Sequence, residues 1–239
     1  RNPEAPIRMD LFVVKGSMAA DLLKNPVPFG SQPLREYYKL HQSNFETADI
    51  AFMNLVRALN EPSKSGEILP VLEAVPAPSG KKNGNKQSLY RYSGSAVMSN
   101  EAKLVGYLNE EETGYVLWML DRPHRQALSV PVSEERDTVS IELRRMNAKR
   151  SLSFDGGVKM TITLTGDATL LENNSNLDMT TPEVPDAIKR KLEQDTEKRI
   201  GRLVKKLQNE VKSDVIHVGD TIFRNRPGRW RSLMNNWDA

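Results

Sequence analysis

"TVSIELRRM" at Thr138–Met146, then "RSLSF" at Arg150–Phe154, "DGG" at Asp155–Gly157 and "GVKMTITLTG" at Gly157–Gly166 decide the fold class of this chain. Val139, Ile141 and Leu143 alternate with polar residues, and so do Val158, Met160, Ile162 and Leu164. Each segment therefore predicts a strand with one apolar and one wet face. Asp155-Gly156-Gly157 supplies the hairpin turn between them. The expectation is an antiparallel sheet covered on one side.

The cover comes directly after it in sequence. Between Pro182 and Lys212, the residues Ile188, Leu192, Ile200, Leu203, Val204, Leu207 and Val211 recur at helical spacing. Such a helix is about 45 Å long at 1.5 Å per residue. Thr181 reads as its N-cap, while Glu183 and Asp186 suit the positive end of its dipole. Asp186–Arg190 and Asp195–Arg199 have the spacing of favourable ion pairs one turn apart.

Upstream of the hairpin, "LYRYSGSAVM", "KLVGYL" and "GYVLWML" read as three short strands of a meander, with "NEEET" at Asn109–Thr113 as the turn before the third. "LFVVKG" at Leu11–Gly16 has the look of a further strand. Pro33–Asn60 reads as helical, with Phe45, Ala48, Phe52, Leu55, Val56 and Leu59 in phase, and Glu61-Pro62 stops it. "PAPSGKKNGNKQS" at Pro76–Ser88 has two prolines, two glycines and no large apolar residue, the composition of a loop or linker.

The expected architecture is multidomain α+β, with antiparallel sheets packed against helices and the long helix covering the C-terminal sheet. Its parts are residues 1–82 (mostly helical, the remainder of an N-terminal domain), 83–135 (a small β-meander) and 136–239 (sheet, long helix and terminal Trp helix).

Composition removes several chemistries. Cysteine is absent, which excludes disulfides and thiolate catalysis in this chain. The three histidines, His41, His124 and His217, show no paired metal-ligand spacing, so no metal or other cofactor is expected. No apolar run is long enough for a spanning helix. The chain begins at Arg1 without a signal-peptide core, which reads as a processed or truncated product.

Net charge is +3, concentrated in the C-terminal half. That bias falls short of a nucleic-acid binder, and the nine Lys/Arg of the long helix alternate with acids as on a solvated face. No nucleic-acid partner is expected.

No catalytic site is expected either. Glu110, Glu111 and Glu112 are contiguous in a turn and point apart, whereas acid–base work needs carboxylates that converge. Ser93 and Ser95 in "YSGSA" lack the Gly-x-Ser-x-Gly elbow. "DGG" lacks the repeated oxygen ligands of a calcium loop.

The chain ends "RPGRWRSLMNNWDA", and here Trp230, Leu233, Met234 and Trp237 form one stripe on a helix that Pro227 starts. A stripe of this kind reads as a plug docked on its own domain, ahead of a membrane contact and ahead of a nucleic-acid contact. Ser213 or Asp214 is the expected cap of the segment that leads into it.

The ordered set "RNPEAPIRMDLFVVKGSMAADLL", "LPVLEAV", "SGSAVMSNEAKLVGYLNEEETGYVLWML" and "SDVIHVGDTIFRNRPGRWRSLMNNWDA" resembles one family across essentially the whole chain: the C subunits of bacterial spore germinant receptors, the Ger(x)C lipoproteins. The resemblance implies a noncatalytic subunit acting with integral-membrane A and B subunits in the response to nutrients. It also implies an N-terminal lipid, absent from this chain, that holds the protein to the outer face of the spore inner membrane. Gly106, Asp214, Gly219, Pro227, Trp230 and Trp237 match the family pattern and read as turn, cap and packing residues rather than a ligand site. The competing expectation is a soluble sensor or enzyme acting on a germinant or cell-wall fragment, which would need a pocket with converging polar groups.

Overall fold

The computed structural model describes residues 11–24, 65–76, 88–122, 125–132, 137–234 and 237. The expected helix at Pro33–Asn60, His41, His124 and the boundaries at 82/83 and 135/136 lie outside the described residues.

The fold is α+β and contains two sheets. Strands β1 (Val13–Lys15), β2 (Glu67–Pro76), β3 (Ser88–Met98) and β4 (Leu104–Leu108) form the first sheet in that order. β1 pairs parallel with β2, and the remaining pairs are antiparallel. Helix α1 (Ala19–Lys24) packs Leu22 against Leu72 and Tyr90 in a small satellite core. The polar stretch at Pro76–Ser88 joins two neighbouring strands of this one sheet, with Pro76 and Ser88 in register.

The second sheet comprises β5 (Gln126–Pro131), β6 (Thr138–Ser153) and β7 (Lys159–Asn174), all antiparallel. "TVSIELRRM" and "RSLS" belong to one strand, β6, which ends just before Phe154. The expected alternation is present: Val139, Ile141 and Leu143 are buried, and Met160, Ile162 and Leu164 are half-buried. Gly156 and Gly157 both take positive φ at the hairpin turn, where a side chain would be strained.

A bulge interrupts β6 between Arg144 and Asn147, with Arg145 at φ 47°. One extra residue reverses the parity of the strand. Beyond it the inward positions are Met146, Ala148, Arg150 and Leu152.

"GYVLWML" corrects the expected meander, because Glu110–Met119 is a helix, α2. Asn109 caps it: its side chain accepts from Glu112 N–H at 2.8 Å while the Glu112 carboxylate accepts from Asn109 N–H at 2.9 Å. This reciprocal capping box fixes a helix start where the sequence suggested a turn. Every residue from Thr113 to Met119 is buried, since α2 lies between the sheets. A helix apolar on all sides has no 3.6-residue period to reveal it.

Helix α3 (Glu183–Lys206) covers the second sheet, burying Ile188, Leu192 and Leu203. Its N-cap position falls on Pro182, which makes no side-chain cap bond, in place of the expected Thr181. A π-helical turn, Leu207–Val211, continues it and buries Leu207 and Val211. Helices α4 (Val218–Asn225) and α5 (Pro227–Leu233) complete the chain. One apolar core runs from Ile68 of β2 through α2, β5, β6 and α3 to Val215.

Candidate functional site

The segment after the π turn is where side chains from distant parts of the sequence converge. Lys212, left-handed at φ 50°, ends the turn. Ser213 Oγ then donates to the Met98 carbonyl at 3.2 Å, which ties the segment to the end of β3. The backbone of Gly66 approaches so closely that a Cβ there would lie 2.0 Å from Ser213 Oγ. Gly106 of β4 is likewise backed by Val211, 3.1 Å from where its Cβ would be.

Asp214 organises the start of α4 and the end of the chain. Its Oδ1 accepts from Val218 N–H at 2.9 Å, and its Oδ2 accepts from Gly219 N–H at 2.6 Å, Ser65 Oγ–H at 2.9 Å and Trp237 Nε1–H at 3.2 Å. The N-cap position falls on His217, which makes no side-chain cap bond, and Asp214, three residues earlier, takes the free N–H groups that open α4 at the positive end of its dipole. The bonds from Ser65 and Trp237 have no sequence signal, because each partner is far away in the chain.

The tryptophans close this arrangement. Trp230 is 6% exposed and meets Trp237 edge to face, with ring centroids 5.3 Å apart. Gly219 lies beneath both, and a Cβ there would be 3.0 Å from Trp230 Cη2 and from Trp237 Nε1. Pro227 opens α5 as expected. The stripe needs one correction: α5 ends at Leu233, and Met234 is 52% exposed. Trp237 lies beyond the end of α5 and donates its indole N–H to Asp214.

Two further residues converge here. His217, at φ 58°, holds Nε2 3.6 Å from Glu67 Oε1. Arg150 donates from its guanidinium to the Ile216 carbonyl, and its Nε is buried with no partner. The sequence does carry a signal for Arg150, namely its inward parity with Ala148 and Leu152, legible once the bulge is known.

The glutamates of "NEEET" also differ from the solvated turn expected of them. Glu111 Oε1 receives Arg199 Nη1 at 2.7 Å and the Tyr115 hydroxyl at 2.8 Å, and Glu112 receives Lys206 Nζ at 2.8 Å. Helix α2 is thereby clamped to α3. Glu110, without such a cation, has its carboxyl pushed above the usual range by burial, against the pull of Arg91. These contacts hold helices together; the three carboxylates do not converge on one point. Ser95 is fully buried in β3. No group of three or more His, Asp or Glu fit to hold a metal ion occurs among the described residues. No helix among them is long and apolar enough to cross a membrane.

A family model described as spore germination B3/GerAC-like, C-terminal, matches residues 93–239, more than half the chain and all of the Asp214–Trp237 arrangement. The chain belongs to the GerAC-like spore germination family. Among curated relatives from Bacillus subtilis (strain 168), spore germination protein YndF is 23% identical over 150 residues, covering 62% of this chain and 37% of that protein. Spore germination protein KC is 25% identical over 157 residues, with 64% and 37% covered. The chain thus spans well under half the length of these curated relatives. The crystal structure of the GerBC protein aligns with all of this chain and 66% of its own at a TM-score of 0.66 and 19% identity, showing a shared α+β fold.

Proposed function

We propose that the chain is a noncatalytic C subunit of a spore germinant receptor complex, acting with integral-membrane A and B subunits in the response to nutrients. Membership of the GerAC-like family carries this reading. The chemistry of the terminal segment supports it: both oxygens of Asp214 are taken up by cap and packing bonds, and Trp230 is buried. The residues that match the family pattern are thus committed to holding the domain in shape, as in a protein that works by presenting surfaces.

We further propose that an N-terminal lipid holds the protein at the outer face of the spore inner membrane. One acyl chain gives only marginal binding, so contacts with the A and B subunits or with anionic lipid supply the second attachment. The test is the intact mass and partitioning of the native protein from dormant spores, with capture of its partners. A diacylated N-terminal cysteine in the inner-membrane fraction, together with A and B subunits, is expected. An unmodified, freely soluble protein that captures neither would overturn the reading.

A further inference from the structure

Helices α4 and α5 meet at a corner that faces solvent. Ile222 and Trp230 are buried, but every residue between them, from Phe223 to Arg229, is exposed. Arg226 stands at the apex. Its N–H donates to the Ile222 carbonyl and ends α4, and its carbonyl accepts from Arg229 N–H and Trp230 N–H to start α5. An ordered backbone, held at each end by a buried side chain, therefore keeps this stretch on the surface.

The corner is cationic. Thr221–Trp237 carries Arg224, Arg226, Arg229 and Arg231 and no acidic residue. All four arginines are exposed, and among the described residues none of their side chains is held in an ion pair. Of the acids at this end of the protein, Asp220 is half-buried in the first turn of α4 and Asp214 is engaged in its four bonds. Asp238 lies outside the described residues. On α3 the cations alternate with acids, as on a solvated face, and here they do not. Phe223, 43% exposed, stands beside Arg224 in the same corner, and Met234, 52% exposed, follows at the far end of α5.

We infer that the α4–α5 corner is a contact with anionic phospholipid, the four arginines facing the head-group phosphates and Phe223 entering the interface. Cations spread along a protruding corner suit a fluid layer of negative charge, which attracts each of them wherever it lies. An exposed aromatic ring among them suits the apolar boundary just beneath the head groups. Trp230 stays in the interior, so the packing role of the terminal helix is kept. The inference rests on the membrane-bound reading above and supplies the second attachment that one acyl chain requires.

The test is co-sedimentation of the full chain with phosphatidylcholine vesicles that contain or lack phosphatidylglycerol. Binding to the anionic vesicles alone is expected, weakening as salt is raised. An arginine near such a surface is worth about fivefold, so Arg224→Gln, Arg226→Gln and Arg229→Gln together are expected to weaken binding about a hundredfold. Lys189→Gln, Arg190→Gln and Lys191→Gln remove the same charge from exposed positions of α3 and are expected to change it by about twofold at most. Because the chain has no cysteine, Phe223→Cys accepts a single environment-sensitive fluorophore. Its emission is expected to shift to the blue on anionic vesicles, while a label at Ser151→Cys, exposed on β6, does not shift.

The inference fails if both vesicles bind alike or neither binds, if the α3 variant weakens binding as much as the corner variant, or if the Phe223→Cys label stays in water. A corner that instead receives an acidic protein partner would leave both vesicles unbound. The assay needs neither the lipid anchor nor the A and B subunits. Its failure therefore leaves the receptor-subunit reading standing, and the mass and partners of the native protein test that reading separately.

Discussion

The indole N–H of Trp237 lies 3.2 Å from Asp214 Oδ2, the same oxygen that receives the Gly219 N–H at the start of α4. One carboxylate therefore both caps a helix and fixes the end of the chain. Replacing Asp214 with Ala leaves four donors without their shared acceptor, at an expected cost of about 2–3 kcal/mol of stability. Asp214→Asn keeps the shape but presents an amide nitrogen toward N–H groups, so it recovers only part of the loss. Equilibrium urea denaturation of the three proteins checks this, and equal stability of Asp214→Ala and the parent would show that the carboxylate is dispensable.

Gly219→Ala is expected to disturb the tryptophan pair. Its new methyl group falls 3.0 Å from both indoles, tighter than most side-chain contacts in folded proteins, so the neighbouring rings must give way by a few tenths of an ångström. Either the rings shift or α4 moves, with an expected loss of about 1–3 kcal/mol. Near-ultraviolet circular dichroism reads the ring displacement and denaturation reads the loss. An unchanged aromatic spectrum would mean the close approach is not maintained in solution.

Trp230→Ala separates a packing role from a binding role. The buried indole predicts a loss of about 3–5 kcal/mol, typical of a large side chain removed from a packed interior. If stability is instead unchanged while capture of a membrane or partner protein fails, α5 is a functional surface and the plug reading is wrong.

Alternation made β6 and β7 legible, and helical spacing did the same for α3, because each has one face buried and one wet. Helix α2 was not legible for the opposite reason: with Thr113 through Met119 all buried, nothing in "GYVLWML" repeats. The capping box at Asn109 and Glu112 was the available clue, and a run of three glutamates beside it favoured a turn. At the terminal segment, residue types gave the cap and the packing, since Asp214, Gly219 and Trp230 behave as their chemistry suggests. The bonds to Ser65, Glu67 and Arg150 depend on tertiary return of distant strands, which no local pattern encodes.

Glu111 and Arg199 join α2 to α3, and a double-mutant cycle measures what that contributes. Both side chains are about a third exposed, at 38% and 30%, so solvent screens the pair. A coupling of about 0.5–1 kcal/mol is expected from Glu111→Gln and Arg199→Gln, falling as salt is raised. The Arg199 guanidinium is held further above its usual pKa by the carboxylate, so the charge is present at any working pH. Zero coupling at low salt would show that the Tyr115 hydroxyl and the apolar interface hold the helices without it.

Alkaline unfolding should follow two tyrosines. Burial pushes the Tyr92 hydroxyl from 10.0 up to about 12. Tyr115, 1% exposed and donating to Glu111, is pushed up as well, with burial the larger cause and the carboxylate adding to it. In the unfolded chain both ionise near the ordinary tyrosine value, so between the two values the folded state binds more protons. Stability is then full below about pH 10 and falls as pH rises toward about 12, the window set by Tyr92. Tyr92→Phe removes one ionisable group from this balance and is expected to flatten the fall, and adding Tyr115→Phe to flatten it further. The measurement is urea stability at half-unit steps from pH 9 to pH 11.5. A parent curve that stays level across that window would mean both hydroxyls ionise in the folded protein as easily as in water, and that the interior around α2 is open to solvent.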